Sequence, residues 1–164
     1  MKPTILLING PMAAGKSTVC RILDEKLPDF LFLDRAYVKD VMLKKISDRV
    51  LARQISKDAI HQMAIELMPL KFNLLFQEHR AHSVRKALGD NIEKYGYRVV
   101  SICLQCDVET AIKRDWKRHR KTRVHFVKEM HRLYGKPDTE DLIINTDKHR
   151  LEETVTMILH ALKE

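Results

Sequence analysis

At 164 residues the chain has the length of one domain, enough to bury a core without disulfide or metal staples. It is 45% apolar and 32% charged, which excludes a low-complexity chain, and no apolar run approaches the ~20 residues a bilayer-spanning helix needs. The formal net charge of +8 favours polyanionic partners: nucleotides, sugar phosphates or nucleic acid.

In chain order, Ile5-Leu6-Leu7-Ile8 with Asn9 reads as a first strand. It runs directly into Gly10-Pro11-Met12-Ala13-Ala14-Gly15-Lys16-Ser17, a G-x-x-x-x-G-K-[ST] sequence in a chain with only five glycines. A helix follows from Lys16 to about Lys26, with Val19, Ile22, Leu23 and Leu27 at core spacing and Pro28 closing it. Phe30-Leu31-Phe32-Leu33 is a short strand ending at Asp34. Two helical stretches come next, one marked by Val38, Val41, Met42 and Ile46, the other by Ile60, Met63, Ala64, Leu67 and Met68. Phe72 to Phe76 is the next strand, leading into Gln77-Glu78-His79. A helix is expected from about Ala81 to Tyr95, weakened at Gly89 and stopped by Gly96. Tyr97 to Leu104 is a strong strand, and a helix from about Asp107 runs through Ile112 and Trp116 into a basic cluster. Trp116 is expected in the core or at the lid hinge, with base stacking as the alternative. Val124 to Tyr134 is helical, Leu142-Ile143-Ile144 is a last strand, and Leu151, Val155, Ile158, Leu159 and Leu162 mark a final helix.

Five short strands alternating with helices predict an α/β, three-layer domain over residues 1–164: a five-stranded parallel sheet with helices on both faces. Ligands of such sheets sit at the carboxyl ends of the strands, which gathers residues 9–17, Asp34, Glu78 and the Asp107 region on one rim.

The glycine-containing loop opens a helix whose free N–H groups and positive dipole end face an anion. Gly10 and Gly15 let the backbone curl around a phosphate, Lys16 reaches the β- and γ-phosphates, and Ser17 supplies a hydroxyl for Mg²⁺. The reading is a nucleoside triphosphate site, with ATP and Mg²⁺ as cofactors. Asp34, at the end of the second strand, is set to accept a proton from an attacking hydroxyl, although an acid there also fits a helix N-cap. Glu78 is either an acceptor or Mg²⁺-water contact or a solvated loop residue. Arg114, Lys117, Arg118, Arg120, Lys121 and Arg123 fall within ten residues. Such a cluster is suited to a lid, about residues 117–126, that folds over phosphates. Arg35 and Lys39 either grip an acceptor or lie on a solvated helix face.

These features resemble the small P-loop kinases and phosphotransferases related to polynucleotide kinase, chloramphenicol phosphotransferase, gluconate kinase and nucleoside monophosphate kinases. The resemblance covers essentially the whole chain and implies a P-loop NTPase fold with a short arginine-rich lid. On it, Gly10, Pro11, Met12, Ala13, Ala14, Gly15, Lys16, Ser17 and Thr18 bind the phosphates, Lys16 also acts in catalysis, and Asp34 matches the base. Arg114-x-x-x-Arg118-x-Arg120-x-x-Arg123 matches the lid, with Arg120 and Arg123 catalytic and Arg114 and Arg118 binding nucleotide. Leu142 to Asp147 is similar to the strand and loop that contact adenine. The chain departs from the group in giving Asp34-Arg35-Ala36-Tyr37 where polynucleotide kinases carry a second acid. It also has Gln77-Glu78-His79 where the third strand often ends in Asp. Residues 35–70, the acceptor-binding segment, match no particular subfamily.

The expected reaction is transfer of the ATP γ-phosphate to a small acceptor: a nucleoside, nucleotide, sugar or drug hydroxyl. The alternatives are a 5′-hydroxyl polynucleotide kinase or an ATP-sensing regulatory protein. Nucleic acid is the less favoured partner because no Arg/aromatic stacking stripe is present. No membrane partner is expected, and the chain is a monomer or homodimer. Cys103 and Cys106 form C-x-x-C without a second ligand pair for zinc, and read as buried strand residues. His79 and His82 could share a helix face but lack metal-ligand spacing. Three cysteines and a start that leads straight into the first strand point to the cytoplasm.

Overall fold

The structure, a computed structural model, describes residues 2–117 and 123–164. β1 (Thr4–Asn9) is buried along its whole length. Because successive side chains point to opposite faces of a strand, β1 supplies two cores. Ile5 and Leu7 join one, Leu6 and Ile8 the other.

The other strands are β2 (Phe30–Leu33), β3 (Asn73–Gln77), β4 (Arg98–Gln105) and β5 (Leu142–Asn145). All pairings are parallel, in the order β2-β3-β1-β4-β5, so β1 is the central strand. The first core packs Leu74 and Phe76 of β3 against α3 (Arg49–Leu67) and α4 (Ala81–Leu88), through Ile60, Ala64, Val84 and Leu88. The second packs Leu75, Ile102, Leu104 and Ile144 against α1 (Lys16–Lys26) and α8 (Leu151–Ala161), through Val19, Leu23, Val155 and Ile158. Full burial of each aliphatic side chain contributes about 1.5–3 kcal/mol. The predicted three-layer parallel architecture is the observed one.

Differences are local. The helix expected over 81–95 breaks at Gly89, whose φ of +49° ends α4, and a separate turn, α5 (Asn91–Lys94), follows. The Gly89 N–H still donates to Arg85 O at 2.9 Å, so the glycine caps the helix rather than merely weakening it. After β2 the chain forms α2 (Arg35–Tyr37) and then a π-helical turn over Val38–Met42. α3 starts much earlier than its apolar pattern suggests, because Asp48 accepts hydrogen bonds from Val50 N and Leu51 N at 2.9 and 3.0 Å. His79 precedes α4, so it shares no helix face with His82. Cys103 is buried in β4, but Cys106 lies past the strand's end and is only half-buried; both thiols are free. Trp116, at the end of α6 (Val108–Trp116), is 58% exposed, so a core position for it is overturned. α7 (Val124–Tyr134) has the predicted bounds.

Candidate functional site

The turn from β1 into α1 is held open by unusual backbone. Gly10 has φ +138° and Gly15 +97°, and Ala13 sits at +61°. A Cβ on Gly10 would lie 2.1 Å from Leu104 O, so only glycine fits this approach. Its N–H donates to His79 O at 3.2 Å, tying the loop to the end of β3. Gly15 is the N-cap of α1, and no side chain caps that helix among the described residues. The first-turn N–H groups and dipole end therefore face the loop's hollow. Lys16 Nζ donates to Gly10 O at 2.8 Å and Pro11 O at 2.7 Å, which holds the ammonium at the loop's mouth. Ser17 and Thr18 are exposed there.

On the β5 side of this loop lies a cavity of about 400 Å³, lined among others by Gly15, Thr18, Arg114, Thr146 and His149. Arg114 donates to Thr146 Oγ1 and Thr146 O, both at 2.8 Å, and its guanidinium lies 3.7 Å from Asp147. Thr146 Oγ1 is 3.0 Å from Gln105 O and 3.3 Å from Ala14 O, so the cavity wall is bonded to the loop itself. The buried Thr154 Oγ1 has no hydrogen-bond partner among the described residues and also lines this cavity.

On the β2 side, Asp34 is the N-cap of α2, and its Oδ1 accepts from Ala36 N at 2.8 Å and Tyr37 N at 3.3 Å. Both sequence readings of Asp34 are thus compatible, because Oδ2 has no partner among the described residues. Glu78 is only 5% exposed, which overturns the solvated-loop alternative. Its Oε2 lies 3.6 Å from Arg35 Nη1 and accepts from His79 N at 3.3 Å. Arg35 therefore does not lie free on a solvated face.

Behind the loop is a buried polar network that no sequence motif announces. Asn9 donates to Ser101 Oγ at 3.3 Å and Asp141 Oδ1 at 3.0 Å, and accepts from the Tyr134 hydroxyl at 2.8 Å. Tyr134 also meets Cys103 Sγ at 3.0 Å, and burial pushes this thiol up to about 11. The Arg80 guanidinium covers the Tyr134 ring at 4.9 Å and lies 3.7 Å from Asp138. His131 Nε2 is 2.8 Å from Met12 O, so α7 is latched to the loop at two points. The His79 ring meets Tyr134 edge-on at 5.3 Å, and its pKa falls to about 4 through burial, reinforced by Lys16, Arg80, Arg35 and His131.

The structure thus gathers Gly10 through Thr18, Asp34, Glu78 and Arg114 on one rim. Arg123 occupies the N-cap position of α7 with an exposed side chain and is not among the residues lining the β5-side cavity. Arg118 and Arg120 lie outside the described residues.

Among solved structures, the chain is 16% identical to a kinase candidate from Chloroflexus aurantiacus, covering 98% of this chain and 99% of that one, with a TM-score of 0.77. The Mycobacterium tuberculosis APS kinase CysC, in complex with AMPPNP and APS, is 14% identical over 99% of both chains, with a TM-score of 0.68. A gluconokinase from Sinorhizobium meliloti is 14% identical over 99% of this chain and 93% of that one, with a TM-score of 0.69. No curated protein matches the sequence significantly. No helix among the described residues is long and apolar enough to cross a membrane. Residues 6–133 match the AAA domain family AAA_18. The chain belongs to that family and carries the fold of the P-loop kinases.

Proposed function

We propose that the protein transfers the γ-phosphate of ATP to a hydroxyl of a small acceptor, with Mg²⁺ accompanying the nucleotide. The observation that carries this reading is the order of parts along the rim. A cavity of nucleoside dimensions on the β5 side, the phosphate loop in the middle and a carboxylate on the β2 side follow one another. A triphosphate anchored in the cavity and threaded over the loop presents its γ-phosphate toward Asp34. The APS kinase with this fold was solved with AMPPNP and APS, which supports a nucleotide donor here.

Base and ribose occupy the cavity beside Arg114, and the loop N–H groups with Lys16 neutralise the phosphates. Asp34 Oδ2 takes the acceptor's hydroxyl proton as the new O–P bond forms and the bond to the ADP oxygen breaks. Among the described residues no group of three His, Cys, Asp or Glu side chains could hold a metal alone. The exposed Ser17 hydroxyl would hold Mg²⁺ carried by the nucleotide, and the metal would supply neutralisation of phosphate charge. Arg120 and Arg123 are the lid arginines that stabilise the transferring phosphoryl group, and Arg118 binds the nucleotide. Three free thiols fit a cytoplasmic setting.

The test is transfer of labelled γ-phosphate from Mg-ATP to nucleosides, nucleotides, sugars, aminoglycosides and 5′-hydroxyl oligonucleotides, with Lys16→Ala and Asp34→Asn alongside. A labelled product lost in both variants is expected and names the acceptor class. Tight ATP binding with no product across a widened panel overturns the reading.

A further inference from the structure

At the end of the sheet opposite the phosphate loop, the strands begin and α1 and α8 finish. A second cavity of about 760 Å³ opens there. The length of β1, roughly 16 Å at 3.3 Å per residue, separates it from the loop. Lys2, Lys26, Lys71, Arg98 and Lys163 line it, against the single carboxylate of Asp29. That carboxylate already accepts from Asn73 Nδ2 at 2.9 Å. None of the five cations pairs with a carboxylate among the described residues.

Two simpler explanations account for part of this. Lysines near helix C-termini complement the helix dipole, which suits Lys26 in the last turn of α1 and Lys163 just past α8. Arg98 donates to Leu162 O and Lys71 to Tyr95 O, so both satisfy carbonyls. Neither explanation removes the charge. Carbonyls carry only partial negative charge, and half of the chain's net +8 converges on one hollow. Like charges gathered on a low-dielectric wall repel one another and raise the local concentration of anions.

The wall between the cations is apolar. Leu27, Phe30, Leu159 and Leu162 line it, all partly buried. Purely inorganic anions would leave that surface wet. A molecule with a multiply charged end and an apolar or aromatic body uses both parts of the cavity, and 760 Å³ is within the range of small-ligand sites.

We infer that this cavity is a second ligand site, distinct from the phosphate loop, for an organic polyphosphate such as a nucleoside polyphosphate. The cations hold the phosphates, and Phe30 with the leucines covers the organic part. A ligand there touches the C-terminal turns of α1 and α8, the two helices that flank the nucleotide-binding loop at their other ends.

The experiment uses the full chain and isothermal calorimetry with ATP and with inorganic tripolyphosphate. It compares the wild type, Lys16→Ala, and Lys16→Ala combined with Lys26→Gln and Lys163→Gln; a further combination adds Arg98→Gln. The lysine pair changes exposed side chains only, so it stays interpretable if the Arg98 variant folds poorly. In the Lys16→Ala background, binding that persists and weakens at least tenfold on removing the two lysines is the expected result. Amide resonances of Leu27, Phe30 and Leu162 should shift on titration. Tighter binding of ATP than of tripolyphosphate assigns a role to the apolar wall. Equal affinity reduces the site to a phosphate site. Loss of all binding in Lys16→Ala, or binding there that ignores the lysine pair, overturns the inference. The readout is binding, so failure of the proposed kinase activity leaves it standing.

Discussion

On the β5 side of the central strand, Arg114 is fixed by two 2.8 Å bonds to Thr146, whose hydroxyl in turn lies within 3.3 Å of Ala14 O. On the β2 side, Tyr37, Met42 and Val50 stand 58%, 67% and 75% exposed around a π-helical turn. One flank is a hydrogen-bonded cradle and the other an open apolar slope with a few charged groups at its root. The donor side of a phosphoryl transfer must hold the same triphosphate in every turnover, which suits a preorganised wall. In the proposed reaction the β2 flank is the acceptor side, where specificity is carried, and an exposed apolar slope suits it. Asp34 and Glu78 lie where the two flanks meet.

Asp34→Asn tests that meeting point and has the largest expected effect. Asparagine caps helices as well as aspartate does, so α2 keeps its bonds to Ala36 N and Tyr37 N. Removing the proposed proton acceptor should lower kcat by about 10²–10⁴-fold. The ATP dissociation constant and Tm should stay near wild type. Steady-state kinetics with ATP binding by calorimetry separates the two; a parallel loss of ATP affinity would make Asp34 part of the donor flank.

Gly10→Ala breaks the loop from behind. The new Cβ meets a backbone oxygen that cannot step aside, at a φ that L-residues rarely adopt. A loss of stability of at least about 1–3 kcal/mol is expected in urea denaturation. Gly15→Ala, whose Cβ would meet nothing within 4 Å, should cost only its strained φ of +97°. Equal losses at the two positions would mean that the contact with Leu104 O relaxes.

Arg114→Ala acts on the donor flank alone. Losing a charged hydrogen-bonding group from the cavity should weaken ATP binding about tenfold, the order expected of a charge-assisted bond. At saturating ATP, kcat should hold. A fall in kcat with unchanged affinity would instead give Arg114 a role on the transferring phosphoryl group.

Local signals wrote the loop, the strands and their order of types into the sequence. The G-x-x-x-x-G-K-[ST] spacing and period-2 apolar runs act over a few residues, and Gly10 to Thr18, β2 and α7 fall where they predict. The network behind the loop is different. Asn9 meets Ser101, Tyr134 and Asp141 across 92, 125 and 132 residues, so no window on the chain contains it. The rim position of Glu78 was legible because it follows a strand's carboxyl end, but its burial was not, since the Arg35 beside it arrives from another βα turn. Gly89 was visible as a weak point, but whether a glycine weakens or ends a helix depends on its φ, which tertiary packing sets.

The smallest effect concerns the seam between the flanks, where His79 accepts from Gly10 N through its carbonyl while its ring rests edge-on against Tyr134. Burial, with Lys16, Arg80, Arg35 and His131 nearby, lowers its pKa from 6.5 to about 4. The folded protein therefore binds fewer protons at this site than the unfolded chain between these values. The stability it contributes is full above pH 6.5 and is lost as pH falls toward 4. His61, also lowered by burial, adds a slope of the same sign. His79→Phe keeps a ring against Tyr134 and removes one of the two protons, so Tm should fall less steeply between pH 6.5 and 4 than in the wild type. An unchanged slope would mean that the His79 ring reaches solvent and that the β3–α4 turn is not clamped over the loop. In that case the seam would belong with the open acceptor flank rather than with the cradle.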